Sequence, residues 1–265
     1  MIKKLRVLSL GAGVQSSTLA LLIEKGEVPM VDYAIFSDTQ AEPSYVYDYL
    51  EKLKKLVSYP IHIVTAGNLE KDSLQEKFIK IPVHTVNVTS GDVGFGRRQC
   101  TREYKITPII KKIKELAGFK KYQRIPHDFK VSMLMGISRD EMQRAAENRE
   151  RWIINEYPLI FEKRFNRGDC LAWMEKQGYD LPERSACYFC PYNSNASWKR
   201  IRDTQPKLWQ QAIEFDEKIR TKLQHDDYEA YLHKECRPLK DIDLDPNKDQ
   251  MDMFNDICDE GMCGV

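Results

Sequence analysis

Near its start the chain runs LSLGAGVQSSTLALL, residues 8–22. Leu5, Val7, Leu8 and Leu10 make a short apolar strand, Gly11-Ala12-Gly13 a tight turn, and a helix opens near Gln15. A strand that feeds a helix with so little chain between them must return to the sheet by a crossover, which makes the next strand parallel. Glycine also lets the backbone come close to a ligand. The unpaired N–H groups of a first helical turn, at the positive end of the helix dipole, suit a phosphate. A plain connector in an α/β domain has the same look, so the rest of the chain has to decide.

The alternation continues. VDYAIFSD (31–38) is a mostly apolar strand ending in Ser37-Asp38, and residues 43–56 place Tyr45, Val46, Tyr49, Leu50, Leu53 and Leu56 at helical spacing. IHIVTA (61–66) is a third strand, residues 67–99 a long polar connection of the kind that serves as a functional loop, and 103–117 a helix. KVSMLMG (130–136) is a fourth strand and 139–152 a helix. The expected fold is therefore α/β, a doubly wound, mostly parallel, Rossmann-like sheet. Ligands of such sheets sit beyond the carboxyl ends of the strands, where Gly11–Ser17, Ser37-Asp38 and Gly136–Arg139 all fall. Residues 1–155 read as the nucleotide-binding domain, and 156–265 as a helical region with segments at 168–178 and 195–222, a Cys-x-x-Cys and a mobile tail.

The 265 residues can bury a real core, and 42% apolar with 31% charged residues is an ordinary globular balance. Lys plus Arg (41) nearly equals Asp plus Glu (40), so global charge neither demands nor excludes a nucleic-acid partner. No apolar run reaches a membrane span and no signal peptide opens the chain, which sets the expectation of a cytoplasmic protein without a membrane partner. In that compartment seven cysteines are thiols, metal ligands or catalytic groups rather than a disulfide framework. Cys187-Tyr-Phe-Cys190-Pro191 is compatible with zinc, a redox pair or an iron–sulfur cluster. No second closely spaced Cys/His pair favours zinc, and Pro191 directly after Cys190 speaks against a thioredoxin-like pair. Cys170, at helical spacing with Leu171 and Met174, reads as a buried apolar residue.

These stretches together resemble the PP-loop ATP pyrophosphatases, in the branch that holds the PAPS reductases and the sulfur-inserting enzymes of nucleic acids. The family loop Ser-Gly-Gly-x-Asp-Ser is matched by Gly11-Ala12-Gly13-Val14-Gln15-Ser16, followed by Ser17, with Gly11 for the leading Ser and Gln15 for the Asp; Ser9 lies two residues upstream. FSDTQAEP (36–43) resembles the segment after the second strand, and GISRDEMQR (136–144) the Gly-x-Arg segment that faces the phosphates. CTREYKITPII (100–110) with CYFCP (187–191) resembles the iron–sulfur pattern, with Cys100 alone where the family has a pair.

The resemblance implies a HUP-like fold and cleavage of ATP between its α and β phosphates, with Mg²⁺. Ser9, Gly11, Ala12, Gly13, Gln15, Ser16, Ser17 and Gly136 would then cradle the nucleotide, Asp38 would lie near it or its metal, and Arg139 and Arg144 would clamp the phosphates. It implies a [4Fe–4S] cluster on Cys100, Cys187 and Cys190, its fourth position open or filled by Cys236, Cys258 or another group. The tail ICDEGMCGV (257–265) resembles the segment that carries the reductase nucleophile, which would make Cys263 catalytic.

Among the activities of such enzymes, sulfur insertion into nucleic acid is expected ahead of sulfonucleotide reduction to sulfite. A regulatory module that only binds nucleotide is the non-enzymatic rival, on the strength of Gln15. Interleaved basic and aromatic residues at 96–105, 118–124 and 197–202 favour a nucleic-acid acceptor, DNA slightly ahead of tRNA. A cysteine desulfurase as sulfur donor and other proteins of a modification system follow as expected partners.

Overall fold

The computed structural model describes residues 5–75, 78–222 and 227–245. Its frame is a five-stranded sheet in the order β3-β2-β1-β6-β7, formed by β1 (Leu5–Leu10), β2 (Tyr33–Asp38), β3 (Ile61–Thr65), β6 (Val131–Met135) and β7 (Ile153–Glu156). All four pairings are parallel. The strands run outward from β1 on one side and from β6 on the other, so the order reverses between these two. In open α/β sheets that reversal opens a crevice at the carboxyl ends.

Helices cover both faces, as the expected doubly wound α/β class requires. On one face α1 (Val14–Glu24), α2 (Ser44–Leu56), α5 (Pro158–Phe161) and α6 (Arg167–Lys176) share a core with Leu8, Leu10, Ala34 and Phe36. On the other, Ile109 and Ile113 of α4 (Thr107–Leu116) pack with Val7, Ile35, Val131, Met133 and Met135. α1 is enclosed almost all round, which explains why its apolar residues from Leu19 to Ile23 show no polar face.

Several sequence expectations need correction. The connection 67–99 is not featureless: it holds α3 (Leu69–Gln75), β4 (His84–Asn87) and β5 (Val93–Phe95). The helix expected over 139–152 is a 3-10 turn at Arg139–Arg144, followed by irregular chain and then β7. The helix expected over 195–222 is broken into α7 (Asn195–Thr204) and α8 (Pro206–Arg220). Pro206 pushes Gln205 out of the helical region and opens the next helix itself. Ahead of α4 the chain makes a π-helical turn at Thr101–Ile106.

A second sheet, β5-β4-β8, is antiparallel, with β8 at Tyr228–Tyr231. It draws β4 and β5 from before residue 155 and β8 from after it. A third core joins Ile79, Ile81, Val83 and Tyr104 to Phe189, Trp198, Phe215 and Leu232. Asp216, almost fully buried, ties this part together by accepting the backbone N–H groups of Leu232 (2.9 Å) and Leu239 (3.0 Å). No helix among the described residues is long and apolar enough to cross a membrane.

His233 is 1% exposed; its Nδ1 accepts the Glu235 N–H, which leaves Nε2 to donate to Asn195 Oδ1 at 2.9 Å. Burial lowers its pKa from the ordinary 6.5 to about 4. Between these values the unfolded chain binds a proton that the folded chain does not, so stability rises with pH across that window. Thermal unfolding of His233→Asn is therefore expected to lose the part of the pH dependence between pH 6.5 and 4 that His233 contributes, on the order of 3 kcal/mol of stability lost by the parent chain as pH falls.

Candidate functional site

The crevice at the switch point is floored by the turn after β1. Ala12 sits at φ +56°, a left-handed conformation that costs a non-glycine residue about 1 kcal/mol, and it is buried in the core. Ser16 locks the turn from inside the helix. Its Oγ accepts the Gly11 N–H at 3.2 Å and donates to the Gly13 carbonyl at 3.2 Å. A Cβ on Gly13 would meet only Ser185 Cβ at 4.0 Å, and one on Gly11 only Ser16 Oγ at 3.6 Å. The protein itself therefore leaves room at both, and that room faces the crevice. Gly136 is different: a Cβ there would lie 2.5 Å from Ser16 Cα and 2.7 Å from Ser16 N. It is glycine because the end of β6 touches the first turn of α1.

Two clefts meet at this floor. One, of about 630 Å³, is lined by Gly11, Gly13, Gln15, Ser16 and Gly136, with Glu141, Arg144, Arg167 and Arg184 above them. Three guanidinium groups thus converge with a single carboxylate on a glycine turn and a helix N-terminus, an arrangement built for a polyanion. Arg184 is aimed by two bonds, to Ser197 Oγ (3.0 Å) and to the Tyr192 carbonyl (2.9 Å). Arg144 pairs with Glu141 at 2.9 Å, and Gln15 donates its amide to Glu141 Oε2 at 3.3 Å. Burial pushes the Glu141 carboxyl up, and Arg144 opposes that.

The other cleft, of about 650 Å³, shares Ser9, Gly11 and Ser185 with the first. Phe36, Ile106, Ile109, Met133 and Met135 make its walls apolar, while Asn148 and Asn155 supply amides and Glu42 a carboxylate. An apolar slot with a few polar groups, continuous with a polyanion cradle, has the shape and chemistry of a nucleotide site.

A third cleft, of about 380 Å³, holds Cys100, Cys187 and Cys190 together with Ile81, Phe189, Arg98 and Lys105. Cys-Tyr-Phe-Cys is anchored by its own aromatics. Phe189 is fully buried and stacked on Phe215 at 4.4 Å, and the Tyr188 N–H donates to the Ala41 carbonyl at 3.0 Å. Burying a side chain the size of Phe189 contributes roughly 2–3 kcal/mol, so the thiols stand on a rigid turn. Cys187 Sγ lies 3.2 Å from Thr39 Oγ1. The three thiols, set in an apolar shell with two cations at its margin, have the donor chemistry of a thiolate-bound cluster. Among the described residues, however, no three metal-ligating groups are gathered closely enough to hold a metal ion. Lys105 lines both the thiol cleft and the apolar slot, its Nζ 3.8 Å from Glu42 Oε1.

Not every residue singled out from the sequence reaches the crevice. Ser9, Gly11, Gly13, Gln15, Ser16, Gly136 and Arg144 line it, and the cysteine trio shares its cleft. Ser17 is fully buried on the core side of α1 beside Tyr49. Asp38 is taken up by its own turn, Oδ1 accepting the Gln40 N–H (2.7 Å) and the Tyr47 hydroxyl (2.8 Å). The acid that faces the slot is Glu42. Arg139 is exposed and reaches toward the Arg164 carbonyl at 3.5 Å, outside the clefts. Cys236 points to the Thr85 carbonyl rather than into the thiol cleft. Cys170 is fully buried, its thiol pushed up to about 12 by burial. Cys258 and Cys263 lie outside the described residues.

Arg167, Arg184, Glu42 and Lys105 were not legible as site residues. The available signals were slight: Arg167 opens a helix behind a capping box (Asn166 with Asp169), and Arg184 stands three residues before Cys187.

No family model matches the sequence, and no curated protein matches it. Among solved structures, the chain is similar to the crystal structure of phosphoadenylyl-sulfate (PAPS) reductase from Candida auris in its phosphate complex. The identity is 14%, the TM-score 0.44, and the match covers 67% of this chain and 75% of that one.

Proposed function

We propose that this protein is an ATP pyrophosphatase that activates an oxygen of nucleic acid, DNA ahead of tRNA, for replacement by sulfur. One observation carries the reading: an apolar slot, a polyanion cradle and a three-thiol cleft adjoin one another, the first two sharing Ser9, Gly11 and Ser185 in their walls and the slot and the thiol cleft sharing Lys105.

In this reading the adenine lies in the slot between Phe36 and the methionines of β6, and the phosphates lie over the glycine turn. The acceptor oxygen attacks the α-phosphorus in line, the bond to the bridging oxygen breaks, and pyrophosphate leaves. Charge that builds on the departing group meets Arg144, Arg167, Arg184 and the N–H groups of the first turn of α1. Hydrosulfide-level sulfur then attacks the adenylated centre, AMP departs with the original oxygen, and the sulfur proton goes to solvent. Lys105 holds a positive charge between the two halves of the reaction. A [4Fe–4S] cluster on Cys100, Cys187 and Cys190 would supply a place to bind sulfide next to the nucleotide. Mg²⁺ would accompany the phosphates, with Glu42 as the carboxylate that lines the slot. A cysteine desulfurase as the sulfur source, partner proteins of a modification system and a cytoplasmic setting complete the proposal.

The test is an anaerobic assay of pyrophosphate release from ATP, with single-stranded DNA, tRNA or PAPS present. Release stimulated by DNA is expected, and Arg184→Ala should lower it about 10- to 100-fold, the worth of a charge-assisted hydrogen bond. Conversion of PAPS to sulfite without ATP turnover would replace the proposal with sulfonucleotide reduction. Nucleotide binding with no turnover of any kind would make the chain a regulatory module.

A further inference from the structure

At the rim of the thiol cleft the small sheet displays an aromatic cluster that the chemistry above does not use. β4 and β5 pair so that His84 lies opposite Phe95, their rings 4.5 Å apart and tilted by 48°. The Tyr192 ring meets Phe95 edge-on at 5.3 Å, and the Arg98 guanidinium lies 5.3 Å from the Tyr192 centroid. Phe95 is 44% exposed although it sits in a ladder of rings, so the cluster is not a closed core.

The hairpin is held tightly in this pose. A Cβ on Gly94 would lie 2.9 Å from Thr85 Oγ1, one on Gly96 3.2 Å from Val83 N, and the Gly96 N–H donates to the Val83 carbonyl at 2.8 Å. Two closely packed glycines thus bracket Phe95. Burial lowers the His84 pKa, which keeps its imidazole neutral near pH 7 and gives Phe95 an aromatic rather than a cationic neighbour. Tyr192 and Arg98 also line the thiol cleft, so whatever rests on the cluster lies beside the cysteines.

We infer that His84, Phe95, Tyr192 and Arg98 form a stacking platform for an unpaired base of a single-stranded nucleic acid, placing the acceptor strand at the mouth of the thiol cleft. An exposed ring offers a π-face that any base can use, and Arg98 with the exposed Arg97 offers charge to the backbone that follows it. The inference rests on the reading of a nucleic-acid acceptor given above and assigns it a place.

The experiment is fluorescence anisotropy of labelled single-stranded oligonucleotides of one sequence, made as DNA and as RNA, against the 265-residue chain. A thermal shift with ATP runs in parallel. Phe95→Ala is expected to weaken the preferred strand about tenfold or more, the worth of one stacked base, while Phe95→Trp restores it. Arg98→Ala should reduce the salt dependence. The DNA and RNA arms identify which strand is preferred, and the ATP shift should be equal in all variants.

Oligonucleotide binding that is retained in Phe95→Ala, or absent from the parent chain, would overturn the platform. So would a variant that keeps oligonucleotide binding but loses turnover with a reduced dithiol protein, because the face would then dock protein. Loss of the ATP shift in the parent chain, with the Phe95 effect intact, would sink the nucleotide reading and leave the platform standing.

Discussion

Gly136→Ala is expected to abolish ATP binding and to lower the melting temperature of the protein, the largest effect of any single methyl group in the crevice. The added carbon would lie 2.5 Å from Ser16 Cα and 2.7 Å from Ser16 N. Both are backbone atoms of a helix enclosed on nearly every side, so no side chain can swing aside to make room. Relief requires the end of β6 and the start of α1 to separate. Overpacking of this kind costs on the order of 3 kcal/mol. The same movement carries Ser16 Oγ away from the Gly11 N–H and the Gly13 carbonyl, dismantling the turn that faces the phosphates.

Gly13→Ala makes the informative contrast. Its new Cβ would meet protein only at 4.0 Å, so the fold should be untouched while the close approach of a ligand is blocked. Thermal unfolding and ATP titration calorimetry on the pair decide the matter. Wild-type melting and wild-type affinity in Gly136→Ala would refute the steric argument, and full affinity in Gly13→Ala would remove the cradle from the turn.

Cys187→Ser is the second large effect, and it separates sulfur chemistry from nucleotide binding. The residue is 8% exposed, and its contact with Thr39 is one a hydroxyl can also make, so the substitution should cost little stability. Outer-shell partners of metal sites are worth roughly 10- to 100-fold in activity; loss of a ligating thiolate should exceed that range. Under the proposed function, sulfur transfer is therefore expected to fall more than about 100-fold, together with any iron the thiols hold, while the ATP-induced thermal shift is unchanged. Cys170→Ser serves as the control, since that thiol is sealed in the core beside α1 and should affect stability alone. Full iron content and full sulfur transfer in Cys187→Ser would rule out the thiol cleft as the sulfur site.

The parallel sheet was legible because its central strands are buried on both faces and so appear as unbroken apolar runs. Every residue of Val131–Met135 is buried, for example. The edge strand Ile153–Glu156 was not, since only Ile153 of its four residues is buried and it follows a stretch rich in Glu and Arg that mimics a solvated helix. The hairpin of β4 and β5 is short, half-exposed and interrupted by glycine, so it carries almost no periodic signal. The cysteine trio and the glycine turn could be found because local spacing encodes them. Arg167, Arg184 and Lys105 could not, because each enters the crevice from a different element and only the topology brings them together. Asp38 and Arg139 show the converse. Asp38 ends β2 and Arg139 opens the turn after β6, yet Asp38 is held by its own turn and Arg139 reaches toward the Arg164 carbonyl.

The bond from Gln15 to Glu141 sets the charge of its cleft. Among the described residues, it seats an uncharged amide against the one carboxylate that lines this cleft, which pairs with Arg144. An aspartate at 15 would set two like charges face to face beside Arg144, so the amide keeps this cleft one negative charge lighter and leaves that margin for an incoming anion.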